Sequence, residues 1–164
     1  MYCFDRVIPG LYLGNELTAY TKPVLLAGQV THIVAAGVEL VPHFPQDFKY
    51  LRLKMRDVPS EKLLGHLEVA IDFIEEALAT GGTVLIHCFQ GISRSSALAI
   101  GFLMYKQRLT YLQAYELVKA KHVEATPNPG FVHQLMIYEN QLRDFSEADV
   151  GYRMRSKSCS CDIF

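Results

Sequence analysis

The nine residues His87-Cys88-Phe89-Gln90-Gly91-Ile92-Ser93-Arg94-Ser95 hold a thiol, a glycine and a guanidinium at offsets that can do chemistry. Cys88 follows the apolar run Val84-Leu85-Ile86, five residues separate it from Arg94, and a long apolar segment begins just beyond. A short loop between a strand and a helix can turn its backbone N–H groups inward and form a nest for an anion. The start of the helix adds its positive dipole end. Gly91 supplies the positive φ or close approach that such a loop needs. Arg94 offers a planar fork that pairs two oxygens of a phosphate. Together these features favour negative charge on the Cys88 sulfur and predict a thiolate at neutral pH. The loop from Cys88 to Arg94 is thus expected to bind a phosphate dianion and aim a nucleophile at its phosphorus. That chemistry has two steps, phosphoryl transfer to Cys88 and then hydrolysis of the thiophosphate.

The first step needs an acid to protonate the leaving oxygen. Asp57 is the candidate, in the loop Arg56-Asp57-Val58-Pro59-Ser60 that follows a strand-like segment. Asp47 precedes that strand and so belongs at the wrong end of a sheet, and Asp72 falls within a helical pattern. The Asp57 carboxylate could then deprotonate the attacking water. Ser95 can donate a hydroxyl hydrogen bond to the sulfur as it departs. His87 is expected to order the loop backbone instead of touching substrate, and Asn128 to act as a turn residue bracing the site from behind.

These residues need a scaffold. Val7 to Gly14 reads as two short strands around the Pro9-Gly10 turn. Thr31 to Ala36 reads as a buried strand, and Phe48 to Met55 as a strand with one wet face. Helices are predicted over Lys22 to Gly28, Leu63 to Ala79, Ser95 to Gln107, Thr110 to about Lys121 behind a capping box, and Phe131 to Leu142. Val38 to Asp47 reads as loop. Strands alternating with helices predict a single α/β domain over residues 1–145, with a central, mostly parallel sheet flanked by helices. The Val84–Ile86 strand belongs in its middle, which puts Cys88 at the carboxyl end, where such folds bind ligands. From Ser146 periodicity is lost, and residues 146–164 read as a flexible polar and basic tail.

Composition narrows the function classes. The net charge is −1, from 16 basic and 17 acidic residues. That leaves no electrostatic footprint for nucleic acid, so anion recognition must be local. No apolar run is long enough to span a membrane, and the first residues do not form a signal peptide. Four cysteines at Cys3, Cys88, Cys159 and Cys161 have neither the density of a disulfide scaffold nor metal-ligand spacing. A reducing, cytoplasmic setting is expected. The chain ends Cys161-Asp162-Ile163-Phe164, which has the form of a prenylation box apart from the acidic Asp162. Arg153, Arg155 and Lys157 precede it, and Cys159 could carry a second acyl chain. Lipid at Cys161 would move the protein from the cytoplasm to a nuclear or a membrane-associated location.

The motif His87-Cys88-x5-Arg94-Ser95 resembles the signature of the cysteine-dependent protein phosphatases. Ile8-Pro9-Gly10-Leu11-Tyr12-Leu13-Gly14, the upstream Asp57, and Asn128-Pro129-Gly130-Phe131 are similar to the small dual-specificity branch of that superfamily. The resemblance spans about residues 4 to 145. It implies the cysteine-phosphatase α/β fold, phosphoprotein substrates bearing phosphotyrosine or phosphoserine and phosphothreonine, and no metal or organic cofactor. Two other classes stay open beside it: a phosphatase of phosphoinositides or RNA 5′ ends built on the same loop, and a non-catalytic phospho-binding module. Phe89, Gln90, Ile92 and Ser93 bring no extra cation to the loop, which disfavours multiply phosphorylated headgroups. The joint presence of Cys88, Arg94 and Asp57 disfavours a non-catalytic module.

Overall fold

The Pro9-Gly10 pair reverses the chain between strands β1 (Phe4–Ile8) and β2 (Leu11–Gly14), which pair antiparallel. The structure is a computed structural model that describes residues 3–147 and 161–163. After β2 come two short helices, α1 (Glu16–Ala19) and α2 (Lys22–Ala27). Helix α2, with Pro23 in its first turn, agrees with the pattern of the sequence. Helix α1 is too short to show a periodicity, and its start is set by the Asn15 side chain accepting from the Thr18 N–H.

Strands β3 (His32–Ala36) and β4 (Lys49–Leu53) follow, then helix α3 (Leu63–Ala79) and strand β5 (Val84–His87). Helices α4 (Arg94–Gln107), α5 (Tyr111–Lys121) and α6 (Pro129–Glu147) complete the main body. The capping box at Thr110 and Gln113 forms as expected. Helix α6 runs past the predicted end at Leu142, and a last strand, β6 (Cys161–Ile163), pairs antiparallel with β4. No element was expected there, because a three-residue edge strand is held by backbone bonds and needs no hydrophobic pattern.

The strand order is β1-β2-β5-β3-β4-β6. β5 lies between β2 and β3 and is parallel to both, and β3 is parallel to β4. The expected α/β architecture with a mostly parallel sheet is thus present, and β5 is central. Its alternation sorts the core. Val84 and Ile86 join the larger cluster with Val34, Leu51, Leu53 and residues of α3, α4 and α6. Leu85 faces the smaller cluster with Leu25, Ile33, Phe48 and Tyr50. Each such fully buried side chain contributes roughly 1.5–3 kcal/mol of transfer free energy.

β4 corrects the expectation of a wet face. Tyr50 and Leu51 are both buried, on opposite sides of the sheet. Tyr50 can be buried because its hydroxyl accepts from the Phe44 N–H at 3.3 Å. Arg52, on the same side as Tyr50, donates to the Val38 carbonyl at 3.0 Å. Helix α4 is buried nearly all round, as its sequence predicts. It anchors the end of the loop that leaves β5.

Candidate active site

β5 ends at His87, and α4 begins at Arg94, so Cys88 to Ser93 form the connecting loop. Cys88 is almost fully buried at its base. The Gly91 N–H donates to Cys88 Sγ at 3.2 Å, and Ser95 Oγ lies 3.2 Å from the same sulfur. Gly91 has φ +77°, and a Cβ there would meet the Gly14 carbonyl oxygen at 2.9 Å. Glycine is therefore needed at Gly91 for both conformation and space. The loop is tied down from outside as well. The Phe89 carbonyl accepts from the Glu16 N–H at 3.1 Å, and the Ile92 carbonyl from the Thr126 N–H at 2.9 Å. Phe89 itself stands half-exposed at the rim.

Arg94 is buried and reaches back across the loop. Its Nη2 pairs with Glu39 Oε1 at 2.6 Å, and its Nη1 donates to the Met55 carbonyl at 3.5 Å. Burial opposes the guanidinium charge, but Glu39, Cys88 and Asp57 together raise its pKa above the ordinary arginine value. The same pairing holds the Glu39 carboxyl below its usual range, against the opposing effect of burial. Arg94 Nε is buried without a partner among the described residues. A bound oxyanion would satisfy it. Glu39 is not marked as a site residue by any sequence motif. Its only local mark is an acid just beyond the end of the buried strand β3, which runs beside β5.

Asp57 sits in the loop after β4 and is drawn to the phosphate loop through one oxygen. The Ser93 hydroxyl donates to Asp57 Oδ1 at 2.7 Å, and Asn128 Nδ2 donates to the same atom at 2.9 Å. Neither of these two donors uses Oδ2. Ser93 Oγ in turn accepts from the Asn128 N–H at 3.0 Å. The loop's far end is fixed by Glu61, whose Oε2 accepts from the Arg56 N–H at 2.8 Å and whose carbonyl accepts from Gln134 at 2.8 Å. Gly130 presses on its middle: a Cβ there would stand 2.0 Å from the Pro59 oxygen. Asn128 is therefore more than the turn residue expected, because its side chain bonds the candidate acid directly.

His87 is fully buried, and burial pushes its pKa down to about 4, with a hydrogen bond to the Cys88 backbone working the other way. It is a neutral ring at pH 7, suited to the expected part in ordering the loop. Cys3, far away in sequence, lies behind the loop. Burial first, then the Asp5 charge, push its thiol up to about 12. Of the two cysteines in the proposed lipid anchor, Cys159 lies outside the described residues, and of Cys161 only the backbone, in β6, is described.

Comparisons with known proteins agree with this geometry. The family model described as dual specificity phosphatase, catalytic domain, matches residues 11–141. Dual specificity protein phosphatase 1B of Arabidopsis thaliana is 35% identical over 139 residues, which cover 85% of this chain and 83% of that protein. MAP kinase phosphatase with leucine-rich repeats protein 3 of Dictyostelium discoideum is 44% identical over 139 residues, and there the match spans 84% of this chain but only 16% of the relative. The crystal structure of human DUSP28 superposes with a TM-score of 0.81 at 35% identity, covering 85% of this chain and 95% of that one. With the phosphate-loop motif, its strand-to-helix setting and these matches in agreement, the chain belongs to the dual specificity phosphatase family.

Proposed function

We propose that this protein hydrolyses phosphotyrosine and phosphoserine or phosphothreonine in proteins through a cysteinyl-phosphate at Cys88. The observation that carries the reading is the convergence on one sulfur of the Gly91 N–H and Ser95 Oγ, beside a buried Arg94 with an unused donor. Cys88 Sγ attacks phosphorus, and the bond from phosphorus to the substrate oxygen breaks. Asp57 Oδ2 gives that oxygen its proton. Water then attacks the cysteinyl-phosphate and yields its proton to the Asp57 carboxylate, and the sulfur leaves with Ser95 Oγ as hydrogen-bond donor. The backbone N–H groups of Phe89 to Ser93, with Arg94, stabilise the equatorial oxygens throughout. Glu39 positions Arg94, and His87 and Asn128 support the two loops.

Phe89, half-exposed at the rim, offers an apolar contact suited to an amino-acid side chain. The loop itself carries no cation beyond Arg94, which argues against phosphoinositide or RNA 5′-phosphate substrates. A panel of phosphotyrosine and phosphothreonine peptides, phosphoinositides and 5′-phosphorylated RNA decides between these classes. Turnover of both peptide types, at rates well above those for lipid and RNA, is the expected result; preference for lipid or RNA overturns it.

A cytoplasmic location, supported by the sparse cysteines, and a peripheral membrane one through lipid on Cys161 and Cys159, supported by the C-terminal tetrapeptide, belong to the same proposal. No helix among the described residues is long and apolar enough to cross a membrane. Intact mass from eukaryotic cells, with Cys161→Ser as control, should show a prenyl adduct lost in the variant; an unmodified mass for both removes the anchor.

A further inference from the structure

Behind the phosphate loop, three side chains from the two ends of the domain meet. Cys3 and Asp5 come from the start of the chain and His122 from just after α5. Cys3 Sγ lies 3.4 Å from His122 Nδ1 and 3.4 Å from Asp5 Oδ2, and Asp5 Oδ2 lies 2.7 Å from His122 Nδ1. All three ligand-type atoms fall within 4.8 Å of one another. The other ring nitrogen, His122 Nε2, bonds the Gly91 carbonyl at 2.5 Å.

That last contact fixes the chemistry. A carbonyl oxygen only accepts, so Nε2 carries a hydrogen, and Nδ1 turns toward a carboxylate oxygen and a sulfur. The space between these three atoms takes a proton or a metal cation. An imidazole bound to metal through one nitrogen, with the other N–H donated to a backbone carbonyl, is the usual outer-shell arrangement of a metal site. The spacing fits as well. With bonds of about 2.3 Å to sulfur and about 2.0–2.2 Å to nitrogen and oxygen, tetrahedral coordination puts the ligand atoms roughly 3.3–3.6 Å apart. Two of the three observed separations already match, and the third needs to open by about 0.6 Å.

We propose that Cys3, Asp5 and His122 form a zinc site on the back of the phosphate loop. Sulfur, imidazole nitrogen and carboxylate oxygen are the ligand types zinc takes. The site is held in place before any metal arrives. His122 is fully buried. The Cys3 backbone is clamped by Thr18, whose hydroxyl accepts from the Cys3 N–H at 3.1 Å and donates to the Cys3 carbonyl at 2.7 Å. Asp5, with its side chain 41% exposed, leaves an open side for entry and for a water as fourth ligand. Asp5 and Glu124 supply negative surroundings that favour a divalent cation. Binding replaces the Cys3 S–H bond with a sulfur–zinc bond and releases that proton to solvent. The bound ion would then join the N-terminal strand to Gly91, the residue whose N–H faces the Cys88 sulfur.

The cysteines have no metal-ligand spacing along the chain. The site arises because the fold brings Cys3 and His122 together across 119 residues.

The test uses the full chain carrying Cys88→Ser, Cys159→Ser and Cys161→Ser, so that Cys3 is the only remaining thiol. Competition against a chromophoric chelator should show one equivalent of zinc bound, and cobalt(II) in its place should give a thiolate charge-transfer absorption. Adding Cys3→Ser should abolish that absorption, and adding Asp5→Asn should weaken zinc at least about tenfold. Both changes keep the His122 bond to the loop. The proposal is overturned if the parent protein binds no zinc, or if Cys3→Ser and Asp5→Asn both leave the affinity unchanged. It is equally overturned if zinc binds only when Cys88 is restored, since the metal then sits on the catalytic sulfur.

Discussion

The phosphate loop and the acid loop are built by different means, although in the proposed mechanism both must arrive at one phosphorus. The phosphate loop is a local object. A buried strand ends at His87, a buried helix starts at Arg94, and the donors to Cys88 come from within the intervening residues or one step beyond. The acid loop has no such internal order. Asp57 is placed by Ser93, by Asn128 and by the steric pressure of Gly130 on Pro59, all from elsewhere in the chain. The nucleophile should therefore be sensitive chiefly to changes in its own loop and to the few contacts that Glu16, Thr126 and His122 make with that loop's backbone. The acid should be sensitive to changes far from it, and those changes should share one signature: they hurt substrates with poor leaving groups and spare those with good ones.

Cys88→Ser is the largest test. With the nucleophile gone, turnover of every substrate should fall by about 10³-fold or more, whatever the leaving group. Steady-state assays on an aryl phosphate and a phosphopeptide check this. More than about one per cent residual activity on either would remove the covalent mechanism.

Asp57→Asn comes next. Hydrolysis of a phosphothreonine peptide should slow by about 10²- to 10³-fold, while an aryl phosphate with a very acidic phenol should lose far less. A plot of log rate against leaving-group pKa should be steep in the variant and shallow in the parent. Equal losses along the series would mean that another group supplies the proton, and the contrast between the loops would fail.

The difference between the loops also explains what the sequence revealed. All parts of the phosphate loop lie within nine consecutive residues, so residue type and spacing were enough to read it. The scaffold was legible for a similar reason, since most elements show their own periodicity. Tyr50 was misread because a tyrosine ring can be buried while its hydroxyl finds the Phe44 N–H, and pattern alone treats the pair Tyr50-Leu51 as a phase slip. For the braces of the acid, sequence offered Asn128 only as a turn residue behind the site, and the direct bonds to Asp57 were illegible. Ser93 reaches Asp57 across 36 residues and Asn128 across 71, and nothing local marks either bond. Glu39 was hidden in the same way, because its pairing with Arg94 exists only once β3 and β5 lie side by side.

Gly130→Ala tests the steric part of the contrast. The new methyl group would overlap the Pro59 backbone, so the acid loop must move. Poor-leaving-group substrates should lose about 10- to 100-fold, because displacement of a catalytic group by about 1 Å can cost that much. The overpacking should also lower stability by about 1–3 kcal/mol in a denaturant titration. The aryl phosphate with the acidic phenol should be nearly unaffected. If it falls equally, the strain has spread to the phosphate loop and the two loops are not independent.

Asn128 gives the smallest and most discriminating effect, because its side chain does two things. Its Oδ1 accepts from the Phe131 N–H at 3.0 Å, capping the start of α6 just before Pro129, and its Nδ2 donates to Asp57. Asn128→Ala removes both. Asn128→Ser keeps a good cap but is too short to reach Asp57. Losing one hydrogen bond to the acid should slow phosphopeptide hydrolysis about five- to tenfold in both variants. Losing the cap should destabilise only the alanine variant, by about 1 kcal/mol. Thermal or denaturant melts alongside leaving-group series on the two proteins separate these roles. Slowed phosphopeptide turnover in a serine variant of parental stability would assign the defect to the lost contact with Asp57. Full activity in that variant would mean that Asn128 acts only through the helix, and that Ser93 alone holds the acid in place.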